Sequence, residues 1–202
     1  VSRISINPQT MNQKTLKEIG RLHGIKDIIR VFNDARVEGH DNINMDLIVG
    51  LPGETYKDVS CTMEQISKLK PDSITVHTMA IKRASRLKQK QSKYQLAKTE
   101  DIEKMLQITL EGAYNLRMAP YYMYRQKDML GNFENVGYAT QGKECIYNIQ
   151  MIAEQQTIIA MGAGAVTKLV HDDGRIERIP NVKNVEDYIA RIDEMIQRKK
   201  QV

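Results

Sequence analysis

Runs of apolar residues alternate with amphipathic stretches over the first 80 residues, and this alternation predicts the order of the elements. The mostly apolar run Ile43–Val49 is typical of a strand covered on both faces, and shorter strands are predicted at Ser2–Ile6 and Ser73–His77. Apolar residues recur at helical spacing in Ile25–Glu38, and residues 55–69 begin with a capping-box pattern. Strands that alternate with helices predict right-handed crossovers and a parallel sheet of the α/β class.

After residue 98 the pattern predicts helices mixed with short strands and turns, which makes this portion of the chain rich in β structure. The predicted elements are a helix at Thr99–Asn115, a strand at Arg117–Tyr124, a loop at Asn132–Gly142, a helix at Glu144–Gln155, a strand at Thr157–Met161, a hairpin over residues 166–179 and a last helix capped by Asn184.

The charge of the chain divides it into parts. The 202 residues carry a net charge of +5, but seven basic residues and no acidic residue lie within residues 82–98. We therefore expect strand–helix units in residues 1–81, a basic connecting segment in residues 82–98, and a helix with a β-rich portion in residues 99–202. The basic segment is either a solvated loop or a lip that binds phosphates or carboxylates. Tyr94 is its one aromatic residue, so stacking on nucleic-acid bases has little support.

Composition limits the classes of protein that need consideration. A hydrophobic content of 41% and a charged content of 27% are typical of a globular chain, and no apolar run approaches the roughly 18 residues that span a bilayer. Cys61 and Cys145 are too few for a disulfide scaffold and match no zinc or iron–sulfur spacing, which favours the reducing cytoplasm. Because the first residue is Val1 rather than Met, we expect the chain to come from a longer protein.

Polar residues near the carboxyl ends of the predicted strands are candidates for a site, because parallel α/β folds place their sites there. Asp46 interrupts an apolar strand, where a carboxylate is costly unless it is hydrogen-bonded. It either holds a neighbouring backbone group or lysine, or it accepts hydrogen bonds from a ligand diol or ammonium group. Gln9 either stabilises a loop or contacts a ligand, and Arg21 is either a helix C-terminal charge or a fork for a carboxylate.

Three other features have ordinary structural explanations. His77 has no partner at ligand spacing and is interpreted as a buried histidine rather than a base. The tyrosines of residues 121–124 either line a pocket or pack within a strand. Gly162-x-Gly164 is followed by Thr167 where a dinucleotide-binding loop needs its third glycine, which excludes a Rossmann site.

Several segments resemble one family in their order and intervals. They are Arg3–Thr10, Gly20–His23, Asn44–Thr55, Pro71–His77 and Thr157–Val166. Together they resemble the radical S-adenosylmethionine (SAM) superfamily, in the branch of oxygen-independent coproporphyrinogen III oxidase, also called coproporphyrinogen dehydrogenase. The similarity covers nearly the whole chain, and the segment that contains Gly50-Leu51-Pro52-Gly53 is specific to this group rather than to one reaction within it.

The resemblance implies roles for individual residues. Gln9 would bind SAM, Arg21 would pair with its methionine carboxylate, and Asp46 would reach its ribose. Apolar contacts with adenine would come from Ile48, Ala80 and Val166. Arg83 and Arg86 in the basic segment would meet the carboxylates of the substrate.

One departure from the family changes what is expected of this chain. The Cys-x3-Cys-x2-Cys motif that holds the family's [4Fe–4S] cluster is absent from the sequence. The resemblance therefore implies the C-terminal part of a partial TIM-type barrel, inactive alone, with the cluster held by the rest of a parent protein. It also implies an exposed barrel edge that can self-associate, no membrane and no nucleic-acid partner.

The parent is expected to remove carbon dioxide from coproporphyrinogen III propionates and leave vinyl groups, which is a step of haem biosynthesis that needs no oxygen. Its radical chemistry would use an electron passed from the cluster to SAM, from a donor that the sequence does not identify. Two alternatives remain open. The parent could bind haem without making it, or the chain could be a nucleic-acid-binding module built around residues 82–98.

Overall fold

The computed structural model describes residues 1–80, 97–125 and 130–200, and it divides into two compact units, Val1–Cys145 and Ile146–Val202. Arg83 and Arg86 lie outside the described residues, as does most of the predicted basic segment. The domain boundaries expected at residues 81 and 98 therefore stay a prediction. Among the described residues, none of the helices has both the length and the apolar character that crossing a membrane requires.

The first unit contains a mixed sheet with helices packed against one face. Its elements are β1 (Ile4–Gln9), α1 (Gln13–Glu18), α2 (Ile25–Val37), β2 (Ile43–Val49), α3 (Tyr56–Leu69), β3 (Ser73–Thr78), α4 (Thr99–Asn115), β4 (Ala119–Tyr124), a 3-10 turn (Leu130–Asn132) and β5 (Asn135–Ala139).

The strand order of this sheet is β1-β2-β3-β5-β4. β1 pairs with β2, and β2 with β3, in parallel, which confirms the expected parallel strands, whereas β5 is antiparallel to both β3 and β4. The sheet therefore joins three parallel strand–helix units to an antiparallel pair. This arrangement confirms the α/β class and adds antiparallel strands to it.

Helix boundaries follow the sequence signals closely. Asn12 caps α1 through its side chain, which accepts hydrogen bonds from the backbone N–H groups of Lys14 and Thr15. The backbone N–H of Thr55 donates to the Asp58 carboxylate over 2.8 Å at the start of α3, as the capping box predicts. These local bonds explain why both helices begin where the sequence places them.

The prediction of a loop over Asn132–Gly142 was wrong, because this segment contains β5. Val136 pairs with Val76 and Tyr138 pairs with Ile74, so β5 lies between β3 and β4 inside the sheet. Glycine and asparagine disfavour strands by local propensity, and pairing on both sides outweighs that preference here.

In the second unit, residues 146–200 form a hairpin and three helices. Its elements are α5 (Ile146–Ala153), β6 (Val166–Val170), β7 (Ile176–Pro180), α6 (Val185–Ala190) and α7 (Ile192–Lys199). The antiparallel pairing of β6 with β7 confirms the predicted hairpin, and Asn184 caps α6 as expected. The prediction of a single last helix was wrong, because a turn at Arg191 divides this segment into α6 and α7.

The strand predicted at Thr157–Met161 was also wrong, since only Ile158 forms a bridge, with Lys168. Two residues on, the Ala160 backbone N–H donates to the Thr167 hydroxyl over 3.0 Å instead of to a carbonyl. A side chain thus takes the place of the next ladder bond, and the pairing stops.

Alternation along the strands gives the sheet an apolar face and a polar face. Ile43, Met45, Leu47 and Val49 of β2 face the helices and join the core formed with residues of α2, α3 and α4. The opposite side, called the polar face below, carries Ser5, Asn44, Asp46, Ser73, Thr75, His77, Tyr122 and Tyr124. The side chains of the sheet that can hydrogen-bond to a ligand therefore lie on this face.

Candidate functional site

Asn44 connects three strands at the centre of the polar face. Its carbonyl oxygen accepts hydrogen bonds of 3.2 Å from the hydroxyls of both Ser73 and Thr75. Its amide nitrogen donates to the Ser5 hydroxyl over 3.0 Å and to Asp46 Oδ1 over 2.6 Å. The buried amide therefore uses all its donors and acceptors, and one donor is aimed at the Asp46 carboxylate.

Asp46 lies where the sequence expected a site residue, and the polarity around it explains how β2 tolerates a carboxylate. Its side chain keeps 22% of its accessible surface, so the carboxylate is reachable from the polar face. The hydrogen bond from Asn44 compensates part of its desolvation. The partner of Asp46 in the structure is the side-chain amide of Asn44, rather than the backbone group or lysine that the sequence suggested. The rest of the carboxylate stays accessible to a ligand.

His77 has the partners that the sequence did not reveal. Its Nε2 lies 4.0 Å from Asp46 Oδ1 on the neighbouring strand, and its Nδ1 lies 3.4 Å from the Tyr124 hydroxyl. Burial lowers the pKa of His77, and the negative charge of Asp46 raises it by less. The imidazole is therefore neutral near pH 7. It carries one N–H, on one of the two ring nitrogens that face Asp46 and Tyr124.

Two tyrosines of β4 cover the rest of the polar face. The rings of Tyr122 and Tyr124 are stacked, with centroids 6.1 Å apart. Burial raises the pKa of Tyr122 to about 12, although a hydrogen bond with Thr75 lowers it in part. The Tyr122 ring lies against Gly137 of β5, where any larger residue would meet it. The sequence offered packing within a strand and lining of a pocket as alternatives. Tyr122 and Tyr124 do both, because they pack in the sheet and cover its polar face.

Gln9 ends β1 in a conformation that is unusual for its residue type. Its φ of 68° lies in the left-handed region, next to an irregularity in the pairing of β1 with β2. The residue is buried, and its side-chain amide donates to the Asn7 carbonyl over 3.2 Å. Such backbone costs about 1–3 kcal/mol and persists only where neighbours hold it.

The residues after Gln9 are fixed to the start of α3 by a buried carboxyl group. The Thr10 hydroxyl donates to Glu54 over 2.7 Å, and the Met11 backbone N–H donates to the Thr62 hydroxyl over 3.1 Å. Burial raises the pKa of Glu54, and hydrogen bonds from Thr10 and Thr15 oppose this in part. Sequence reasoning did not single out Glu54, because only the fold brings it beside Thr10.

Arg21 follows Gly20, whose φ of 78° ends the turn after α1. Its exposed side chain borders a cavity of about 370 Å³ that is also lined by Asn7 and His23, beside β1 and α2. Among the described residues it forms no ion pair with a carboxylate. The guanidinium is therefore accessible to an anionic ligand at this edge of the sheet.

The three residues expected to contact adenine do not all lie in the same unit. Ile48 lies half-buried on the polar face of β2 beside His77, and Ala80 follows the end of β3. Val166 is 45% exposed and begins β6 in the second unit. The first unit thus brings Gln9, Ile48 and Ala80 to the carboxyl ends of adjacent strands, with Asp46 in the middle of β2 on the same face as Ile48. Val166 belongs to the other unit.

Comparisons with known proteins show which proteins this chain is similar to. Residues 1–66 match the family model described as Radical SAM superfamily. The chain is 43% identical over 194 residues to the oxygen-independent coproporphyrinogen-III oxidase-like protein HemZ of Bacillus subtilis, covering 96% of this chain and 39% of that protein. The heme chaperone HemW of Haemophilus influenzae is 28% identical over 94% of this chain and 45% of its own length.

The family implies SAM and a [4Fe–4S] cluster, and the described residues fit only one of them. Residues 1–80, 97–125 and 130–200 contain no group of three metal-binding side chains, and Cys61 is an exposed residue of α3. These residues do not fit the cluster. The accessible carboxylate of Asp46 beside the apolar Ile48 fits a ligand that carries hydroxyls next to an aromatic ring.

The fold also matches a solved structure. Coproporphyrinogen III oxidase HemN of Escherichia coli, described as a radical SAM enzyme, aligns with a TM-score of 0.68 at 19% identity, over 96% of this chain and 43% of that chain. The aligned region is the C-terminal part of HemN. The chain spans less than half the length of each of these relatives. Residues 1–66 therefore match the radical SAM superfamily, and the chain is similar in sequence to an oxygen-independent coproporphyrinogen-III oxidase-like protein and to heme chaperones.

Proposed function

We propose that this chain supplies the SAM-binding residues of a cytoplasmic radical SAM protein that acts on a porphyrinogen. The observation that carries the proposal is the accessible carboxylate of Asp46, which Asn44 holds on the polar face two residues before Ile48 near the carboxyl end of β2. Open α/β sheets bind ligands at the carboxyl ends of their strands. Gln9, Ile48 and Ala80 lie at the same ends, and Arg21 lies at the β1 edge.

Each residue has a role that its chemistry permits. Asp46 accepts hydrogen bonds from ribose hydroxyls, and Ile48 and Ala80 offer apolar surface to adenine. The contact expected from Val166, in the second unit, stays a prediction. The Arg21 guanidinium pairs with the methionine carboxylate, and Gln9 presents an amide from its fixed backbone. These residues would hold SAM, and a cluster held by the rest of the parent protein would supply the electron for radical chemistry.

The binding role is tested by calorimetric titration of the chain with SAM. Asp46→Asn removes the anionic acceptor, and we expect its affinity to fall by about tenfold, equivalent to about 1.4 kcal/mol. Asp34→Asn is the matched control, because Asp34 is exposed on α2 and pairs only with Arg30 among the described residues. Equal affinities for SAM in the wild-type chain and the Asp46→Asn variant would contradict the proposal.

For the reaction, we propose oxidative decarboxylation of coproporphyrinogen III propionates to vinyl groups without oxygen. The similarity to HemZ over 96% of the chain supports this assignment. The test is anaerobic turnover by a protein that joins this chain to a cluster-binding segment, with release of carbon dioxide as the readout. Turnover is the expected result, and a loaded protein that leaves the porphyrinogen unchanged would overturn the assignment.

A haem-binding role is the second candidate, and the similarity to the heme chaperone HemW over 94% of the chain favours it. It predicts a haem-dependent visible absorbance band in the same protein, with no porphyrinogen turnover. Turnover without haem binding would exclude this candidate. The two roles are therefore separated by the same pair of measurements.

The substrate's carboxylates provide a role for Arg83 and Arg86, which belong to a stretch with no acidic residue. Replacing both with glutamine is expected to weaken porphyrinogen binding about tenfold, because two attractive charges are lost. Lys26→Gln combined with Arg30→Gln on α2 removes the same charge at exposed positions and serves as the control. Unchanged porphyrinogen affinity in the Arg83 and Arg86 variant would exclude this contact.

A further inference from the structure

His77 and Asp46 leave a gap between them that suits one additional atom. Nε2 of His77 and Oδ1 of Asp46 are 4.0 Å apart, which is too long for a direct hydrogen bond. Both side chains are partly exposed on the polar face, at 26% and 22% of their surface. A ligand can therefore reach the space between the two atoms.

The proton of His77 is directed into this gap. Its Nδ1 faces the Tyr124 hydroxyl at 3.4 Å, and a hydroxyl can donate to that nitrogen. Its Nε2 faces a carboxylate, which attracts an N–H and repels a lone pair. The tautomer that satisfies both neighbours carries its proton on Nε2 and accepts the Tyr124 hydrogen at Nδ1.

Asp46 has a matching acceptor on its side of the gap. Oδ1 already accepts the 2.6 Å hydrogen bond from Asn44, and a carboxylate oxygen has a second lone pair. A donor on His77 and an acceptor on Asp46 therefore face the same point from neighbouring strands.

The distance decides which ligand group fits. An oxygen placed about 2.8 Å from both atoms, whose separation is 4.0 Å, would have an N···O···O angle of roughly 90°. A hydroxyl can occupy this point because it accepts from Nε2–H and donates to the carboxylate. An ammonium group cannot accept, and an ionised carboxylate cannot donate.

We infer that His77 Nε2–H and Asp46 Oδ1 together bind one ligand hydroxyl, and that His77 is a binding residue rather than a buried histidine of purely structural role. This inference rests on the proposed function, in which the hydroxyl belongs to the ribose of SAM. The sequence showed Asp46 but not its partner, because the pairing joins β2 to β3 across the sheet.

The test compares ribose analogues in the full chain by calorimetry. The probes are adenosine, 2′-deoxyadenosine and 3′-deoxyadenosine. The wild-type chain is expected to lose about tenfold in affinity for one of the two deoxy compounds. His77→Phe keeps a ring without a donor, so it is expected to bind adenosine about tenfold more weakly and no longer to distinguish that deoxy compound. His77→Gln retains an N–H donor and is expected to restore part of the distinction.

His171→Phe is the control, because His171 lies on the hairpin of the second unit beside Glu177. If His77→Phe distinguishes adenosine from the deoxy compounds as the wild type does, while Asp46→Asn weakens binding, the inference fails and the proposed function stands. If the wild-type chain binds neither adenosine nor SAM, both fail.

A second measurement needs no variant and therefore no assumption about folding. Nitrogen-15 NMR of the wild-type imidazoles is expected to show a protonated Nε2 and an unprotonated Nδ1 at His77, with the Nε2 signal shifting on addition of adenosine. The opposite tautomer, or an Nε2 signal that does not shift when adenosine is bound, would overturn the inference.

Discussion

At the scale of single residues, the left-handed backbone of Gln9 gives a prediction about stability. Glycine adopts a φ of 68° without strain, whereas alanine does not. Gln9→Gly is therefore expected to be more stable than Gln9→Ala by about 1 kcal/mol in urea unfolding. Both variants lose the side-chain amide, so both are expected to lose affinity for SAM.

Gln107 provides the matched control for Gln9, because it is an exposed glutamine within α4. In a helix interior the order reverses, and Gln107→Gly is expected to be less stable than Gln107→Ala by about 1 kcal/mol. The same order at both positions would contradict a strained backbone at Gln9.

Glu54 gives a second residue-scale prediction, through the dependence of stability on pH. Its pKa is raised above the unfolded value of 4.5, mainly by burial. The proton is therefore held more tightly in the folded state, and this stabilisation is fully present below pH 4.5 and lost as pH rises through the folded pKa. Glu54→Gln is expected to gain stability relative to the wild type as pH increases from 4.5 to 8, measured by urea unfolding.

Asp58 provides the opposite case within the same helix start. Burial raises its pKa, but hydrogen bonds from Thr55 and Asn12 outweigh burial and leave the pKa lowered. Its stabilisation is present above the unfolded value of 3.8 and is lost as pH falls through the folded pKa. Asp58→Asn should therefore lose stability relative to the wild type at pH 7, and parallel pH profiles for the Glu54→Gln and Asp58→Asn variants would refute both assignments.

These residues also show where sequence reasoning about the site succeeds and where it stops. Asp46 could be found because it interrupts an apolar strand, and Gln9 because it lies just after the first predicted strand. The resemblance to a family gave both residues roles. The partners of His77 and Glu54 could not be found, since Asp46 and Thr10 reach them only through sheet pairing and loop packing.

At the scale of elements, the contact between Gly137 and Tyr122 fixes how β4 lies on β5. A side chain at residue 137 would occupy the space of the Tyr122 ring. Gly137→Ala is therefore expected to lower the free energy of unfolding by about 1–3 kcal/mol, as overpacking does. In a Tyr122→Ala background the same change should cost much less, and a double-mutant cycle measures the difference. Equal costs in both backgrounds would show that the ring does not set the packing.

This contact also explains why β5 could not be predicted locally. Gly137 weakens the strand pattern, yet the sheet needs a residue without a side chain where Tyr122 crosses it. The α3 boundaries, in contrast, depend on Thr55 and Asp58, which are close in sequence. The start of α3, which local bonds set, was therefore predicted, whereas β5, which depends on pairing with strands distant in sequence, was not.

At the scale of the whole molecule, β1 is an edge strand of the described sheet. An unpaired edge can pair with a second copy of the chain, so we expect weak, concentration-dependent association in sedimentation velocity experiments. Asn7→Lys adds a charge to an exposed position of this edge and is expected to reduce the association. Asn33→Lys places the same charge on exposed α2 and should leave association unchanged. Association that persists equally in both variants would exclude the β1 edge.

The support of Asp46 depends on the side-chain amide nitrogen of Asn44. Hydrolysis of its side-chain amide to a carboxylate would exchange the nitrogen that donates to Asp46 and Ser5 for an oxygen that cannot donate. Two negative groups would then face each other where a 2.6 Å hydrogen bond had been. Conversion of the amide to a carboxylate at this one position, with almost no change in mass or shape, would turn the support of Asp46 into repulsion.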